Sequence, residues 1–270
     1  MKKTLLLAAA LVVTAIYLFP LYWMYITAFK STAEMFHYPP TMWPLAPESH
    51  FVATFVDRQM STFLWNSFVI ACGTTAATLL LGTGAAYALA QSRHRVTGIA
   101  IFAVLVLQAL PSSLMVTPLF TAFKTLGLLA SPRTAVVLAQ ISKTLPFFIV
   151  LCRSSFVQVP RDLRDAALVD GASPAGAFFR VVLPLAVNGV LVSGILVFLQ
   201  SFGEYVYARS LILDDAYQTA TVGLSTFVGA TNTDWIGIMT YSAIYVTPVL
   251  GIFMLLQRRI VGGLTAGAIK

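Results

Sequence analysis

Between Thr4 and Phe29 the chain carries no charge, and Lys2 and Lys3 stand immediately before that run. Five more apolar runs follow, at about 64–90, 97–123, 134–152, 184–208 and 235–257, separated by polar stretches that hold almost all of the charge. At 1.5 Å per residue, each is long enough to cross a hydrocarbon core of about 30 Å. Lipid offers peptide groups no hydrogen-bond partners, so the runs must be helices. The first exceeds the apolar region of about 7–15 residues found in a secretory signal and lacks a convincing cleavage site, so it reads as a retained span. The pattern predicts an all-α membrane protein with six transmembrane helices.

Basic residues orient the spans. One alternating set of loops holds Lys2, Lys3, Arg93, Arg95, Arg153, Arg161, Arg164, Arg180, Arg258, Arg259 and Lys270, eleven in all. The other set holds Lys30, Arg58, Lys124, Arg133 and Arg209, five in all. By the positive-inside rule both termini are expected in the cytoplasm. Trp23, Trp43, Trp65 and Trp235 then fall near outer span ends or in an outer loop, where aromatic anchors belong. Composition agrees: 58% of residues are hydrophobic, 10% are charged, and the mean hydropathy is +0.84. That is too little charge to solvate the surface of a soluble domain. The net charge of +7 comes from clusters at span ends and does not indicate a nucleic-acid partner. Cys72 and Cys152 lie in spans without CxxC spacing, and His37, His50 and His94 are scattered over separate loops, so neither a disulfide framework nor a metal site is expected.

The second cytoplasmic loop, about 153–183, is long and helical in pattern although it lies between two spans. Pro160 suits the first turn of a helix, and Asp162 and Asp165 favour the positive end of its dipole. Gly171 permits a sharp break, Pro174 can start a second short helix, and Pro184 marks entry to the fifth span. The expected product is a helix–turn–helix on the membrane's cytoplasmic face. Its small and apolar positions (Ala166, Ala167, Leu168, Ala172, Phe178) suit docking into a partner's groove.

Asp165, Ala166, Ala167, Asp170, Gly171, Ala172, Phe178, Leu183 and Pro184 fall at the spacing of the EAA motif, which this segment resembles. That motif marks the permease subunits of ABC importers, and Asp165 stands where the family usually has Glu. Phe29-Lys30-Ser31, Pro39-Pro40-Thr41 and the ending Gly263-Leu264-Thr265-Ala266-Gly267-Ala268-Ile269-Lys270 are similar to the smaller permease of the maltose-type carbohydrate importers. Phe202-Gly203-Glu204-Tyr205 resembles that group's W-N-E-F, with two departures. The resemblance implies one permease domain over 1–270, with a coupling segment at 160–184. Its partners would be a second permease subunit, two copies of an ABC ATPase and an extracytoplasmic sugar-binding protein, all at a bacterial inner membrane. ATP and Mg would bind the ATPase, and no cofactor is expected on this chain. Asp165, Ala166, Ala167, Leu168, Asp170, Gly171, Ala172 and Phe178 would dock the ATPase. The tail from 262 to 270 would insert between the ATPase subunits, and Thr231, Asn232 and Thr233 would probe the binding protein.

Lys143 lies near the middle of the fourth span, where an ionisable group is costly and faces protein or a wet cavity. It either lines the pathway and donates to a polyhydroxyl or anionic substrate, or plays a structural part by snorkelling or pairing with Glu204. Gln200, Glu204 and Tyr205 are further pathway candidates, with Gln108, Gln140, Ser142, Ser201 and Phe202 as weaker ones. Gly82, Ala86 and Ala90 recur at every fourth position, a ridge that allows close helix packing. There is no GxSxG, HExxH or GxxxxGK[ST] motif, so the chain is not expected to be an enzyme or to bind nucleotide. An ion-coupled secondary transporter is the alternative, and the internal repeat common in such carriers is not seen.

Overall fold

A computed structural model describes residues 2–92, 94–229 and 233–265. In chain order its principal helices are α1 (Lys2–Thr27), α2 (Met60–Gln91), α3 (Arg95–Ala109), α4 (Ser112–Thr125), α5 (Pro132–Val157), α6 (Arg161–Val169), α7 (Leu183–Phe202) and α8 (Trp235–Thr265). Five stretches are long and apolar enough to span a membrane: α1, α2, α5, Pro174–Phe202 and the Trp235–Leu255 part of α8. The third apolar run, expected as one continuous span, is instead α3 and α4, bent by 91° at their junction. Proline causes the break. The Pro111 ring disfavours helical geometry at the residue before it, and Leu110 is extended at φ −68° and ψ 124°. The fifth span begins ten residues earlier than its apolar run, because a π-helical turn (Phe178–Val182) joins Pro174–Ala177 to α7 without a break.

The described chain divides into two compact units. The larger comprises residues 65–219 and the last part of the chain from Ile252. Its framework is α5 packed between α7 and α3. Backbones approach closely where glycine allows it. A Cβ at Gly189 of α7 would run into the Ser155 side chain of α5, and one at Gly82 of α2 would lie 2.5 Å from Phe148. Ala86 and Ala90, one and two turns beyond Gly82, are buried in the same cluster as Phe148, Cys152, Phe156, Val182, Ala186 and Val197. Polar side chains tie the helices where water cannot reach. Thr74 donates to Gln140 Oε1 at 3.0 Å, Ser201 donates to the same oxygen, and the Thr78 and Thr144 hydroxyls lie 2.9 Å apart. Asn66, with no exposed surface, accepts two bonds from Arg133 at 2.7 and 3.2 Å and donates to the carbonyls of Ala216 and Gln218. This node fastens the starts of α2 and α5 to the connection that precedes residue 220.

The smaller unit comprises residues up to 64 together with 220–251. Within α1 only Ile26 and Thr27 are buried, so its apolar residues are left for lipid or another chain. The connection after α1 is ordered by Lys30, which is 2% exposed. Its ammonium donates to the Thr41 carbonyl at 2.5 Å and lies 4.4 Å from the Trp23 ring centroid. Phe29 packs on Phe51 with centroids 5.0 Å apart, and the Ser31 hydroxyl caps the short helix Thr32–Met35. The signatures Phe29-Lys30-Ser31 and Pro39-Pro40-Thr41 are therefore two halves of one contact. Glu34 Oε1 accepts from the Thr41 hydroxyl at 2.8 Å and the Leu45 N–H at 2.9 Å. Burial pushes this carboxyl up, but bonds from Leu45, Thr41 and Ala46 and the charge of Lys30 outweigh it, so its pKa is below the usual carboxylate value.

Two outcomes are expected. Gly189→Ala should destabilise the protein by about 1–3 kcal/mol through overpacking. Ser155→Gly in the same chain should restore part of that loss, as read by thermal unfolding in detergent. Because Glu34 is more acidic when folded, its contribution is complete above its unfolded value of about 4.3 and is lost as pH falls through the lower folded value. Protease cleavage of the 30–50 connection should therefore rise below about pH 4 in the wild type. In Glu34→Gln it should be raised at neutral pH as well.

Candidate functional site

Two breaks in helical backbone meet at a cavity of about 300 Å³ in the larger unit. One is the proline break, which puts Ser112 on the first residue of α4. The other follows α7, where Gly203 ends the helix and residues 203–205 lead into the short helix Val206–Leu211. Gln140, Lys143 and Thr144 from α5 and Gln200 and Ser201 from α7 line it, together with Glu204, Tyr205 and Tyr207. The Lys143 ammonium donates to Ser112 Oγ at 2.9 Å, which holds its stem across the cavity wall. Both Glu204 oxygens accept the Tyr207 N–H, at 2.9 and 3.1 Å, and one also accepts from Ala208 at 3.2 Å. This carboxylate caps the first turn of Val206–Leu211, whose N–H groups would otherwise lack partners. Gln200 Oε1 is shut off from solvent and has no hydrogen-bond partner among the described residues. A buried carbonyl in that state calls for a donor. Tyr205, in the cavity lining, is 40% exposed. An amine, an amide side chain and a phenol ring around a water-accessible space suit a polyhydroxyl ligand.

A second exposed feature lies between the fourth and fifth spans. α6 presents Leu163 and Val169, 44% and 88% exposed, beside the exposed Asp165, Ala166 and Asp170. Gly171 then turns the chain at φ +87°, a left-handed conformation that disfavours any Cβ, and Ser173 caps Pro174–Ala177 through the Gly176 N–H at 3.1 Å. Phe178 turns the other way. Its ring lies 4.6 Å from Tyr87 and 6.2 Å from Phe156, packed on the buried cluster. It was expected among the docking residues; here it is half-buried, with one side of its ring packed on the cluster.

Residues 78–265 match the family described as binding-protein-dependent transport system inner membrane component. The chain belongs to this family. The sulfoquinovosyl glycerol transport system permease protein SmoH of Agrobacterium fabrum is 34% identical over 269 residues, 99% of this chain and 94% of that protein. The trehalose/maltose transport system permease protein MalG of Thermococcus litoralis is 30% identical over 272 residues, 100% and 98% of the two chains. In fold, a bacterial ABC transporter involved in import of the acidic polysaccharide alginate aligns with a TM-score of 0.76 and 19% identity, covering 95% of this chain and 96% of that one.

The permease brings Lys143, Gln200, Glu204 and Tyr205 around one cavity, with Gln140 and Ser201 in its wall. Gln108 and Ser142 do not line it. Phe202 is 6% exposed and stacks on Phe198 with centroids 5.8 Å apart. Sequence reasoning missed Ser112, Thr144 and Tyr207. Ser112 had a local signal, because a serine directly after a proline inside an apolar run marks a helix restart. Thr233 pairs with Val228 in an isolated β-bridge, and Asp234 beside it caps α8 through the Gly237 N–H at 2.8 Å. Thr231, Asn232 and the tail from 266 to 270 lie outside the described residues.

Lys143→Met keeps the side-chain length and removes the ammonium. Losing one charge-assisted hydrogen bond of about 1.5–3 kcal/mol should weaken apparent substrate affinity by about 10- to 100-fold. Radiolabelled uptake in reconstituted vesicles checks this against unchanged subunit assembly.

Proposed function

We propose that this chain is the smaller permease of an ATP-driven carbohydrate importer of a bacterial inner membrane, forming half of a translocation pathway with a second permease. The observation that carries the reading is the segment 160–184. A short polar helix with exposed apolar tips, a left-handed glycine and a capped second turn project between the fourth and fifth spans, while Phe178 anchors them. Such a projection is useful to a subunit that takes up motion from elsewhere and has no evident use in an ion-driven carrier. Asp165, Ala166, Ala167, Leu168, Asp170, Gly171 and Ala172 form the docking surface for an ABC ATPase, which carries ATP and Mg.

Carbohydrate is the cargo on two grounds. The relatives' names specify sulfoquinovosyl glycerol and trehalose or maltose, all glycosides. The cavity carries the donors, acceptor and aromatic ring that hydroxyl-rich ligands require, so Lys143, Gln200 and Tyr205 are assigned to sugar contact. Both termini face the cytoplasm, and Thr231, Asn232 and Thr233 face the extracytoplasmic binding protein.

The test is purification of the chain co-expressed with its partner permease and ATPase, wild type against Gly171→Val. A β-branched residue at φ +87° is strained although no atom lies within 4 Å of its Cβ. The permease pair should stay assembled while ATPase co-purification falls at least about tenfold, as a loss of about 1.4 kcal/mol or more in docking would give. Transport that persists without ATP in the wild type would overturn the reading.

A further inference from the structure

The C-terminal end of α2 is gripped by the segment that follows α5. An α-helix leaves its last four carbonyls without intrahelical partners. Here Ala88 accepts the Ser92 N–H at 3.0 Å, Leu89 accepts from Arg153 at 3.4 Å, and Ala90 accepts from Arg161 at 3.2 Å. The Gln91 side chain accepts from Arg164 at 3.2 Å. Arg164 is itself fixed by two bonds to Asp165 Oδ1, at 2.7 and 2.9 Å. One turn back along α2, Tyr87 packs on Phe178. Guanidinium groups suit this position because the helix C-terminus carries partial negative charge.

Arg161 and Arg164 belong to α6, whose covalent neighbours are α5 and, through the π-helical turn, α7. Its side-chain grip therefore reaches a third span. Farther along α2, Thr74 and Thr78 bond Gln140 and Thr144, both of which line the cavity. The distance along α2 from Gln91 to these threonines is about 20–25 Å at 1.5 Å per residue. A rigid helix held at one end by the exposed segment and at the other by the cavity wall is a mechanical link between them.

We infer that α2 is the rod through which α6 acts on the cavity, with Arg161 and Arg164 as the positioning residues that fasten its C-terminal end. This rests on the proposal that α6 docks an ATPase. The test uses the assembled transporter, with Cys72 and Cys152 replaced, and spin labels at exposed positions: Asp162 on α6, Ala88 on α2 and Leu114 on α4, across the cavity. Distances are read without nucleotide and with a non-hydrolysable ATP analogue.

In the otherwise wild-type protein the Asp162–Leu114 distance should shift by about 2 Å or more while Asp162–Ala88 stays constant. In Arg161→Met/Arg164→Met the Asp162–Ala88 distance should shift as well. Should that variant lose its ATPase on purification, Arg161→Met/Gln91→Leu breaks both bonds from α6 to α2, keeps the Arg164–Asp165 pair and should give the same separation. An Asp162–Ala88 distance that changes in the wild type, or stays constant in the variants, would overturn the inference. If Asp162–Leu114 does not respond to nucleotide at all, α6 is not driven by an ATPase, and it is the functional proposal that fails.

Discussion

A peptide group in hydrocarbon has no water to bond, so every backbone N–H and C=O within the membrane must find a partner in the protein. Continuous helix meets that demand along most of each span and leaves it unmet wherever a helix stops. This permease puts several of its helix ends to use. The proline break before Ser112 and the glycine end at Gly203 open onto one cavity, and the end of α2 is taken up by arginines. Irregular backbone inside a membrane is tolerated where it borders a cavity or is buried in protein, and both conditions occur here.

The same demand explains why Glu204 is present. Its oxygens take the exposed N–H groups of Val206–Leu211, so the carboxylate belongs to the architecture of the break as well as to the cavity wall. Lys143 differs. It bonds the hydroxyl of Ser112, a neutral group, and lines a space shared with Gln200 and Tyr205. Gln140, one turn away, is committed to Thr74 and Ser201 and is 2% exposed. Three polar side chains thus divide into a backbone cap, a cavity-lining amine bonded to Ser112 and a helix tie.

Close packing supplies the rigidity these stops require. Gly82, Ala86 and Ala90 bring α2 against Phe148 and its neighbours, and Gly189 brings α7 against Ser155. Small residues serve in a membrane because association there relies on contact and hydrogen bonds, without the hydrophobic drive available in water. A tightly packed α2 moves as one body. That property gives the contacts of Arg161 and Arg164 at one end a consequence at Thr74 and Thr78.

Apolar length, the placement of basic residues and the spacing around Asp165, Gly171 and Phe178 determined the class of this protein from sequence alone. Those features answer to the bilayer or to local backbone geometry, which act on each segment independently. The membership of the cavity was partly legible, through Lys143 and Glu204, because ionisable groups inside a span are expensive wherever they fall. The 91° bend at Pro111 was hidden in a run that was apolar throughout, since hydropathy records solvent preference and not direction. The packing of Phe178 on Tyr87, the different partners of Gln140 and Lys143, and the grip of three arginines on α2 depend on contacts between residues 31 to 91 positions apart. Only the tertiary structure decides these, because a side chain's partner is set by where other helices pass and not by its own neighbours in the chain.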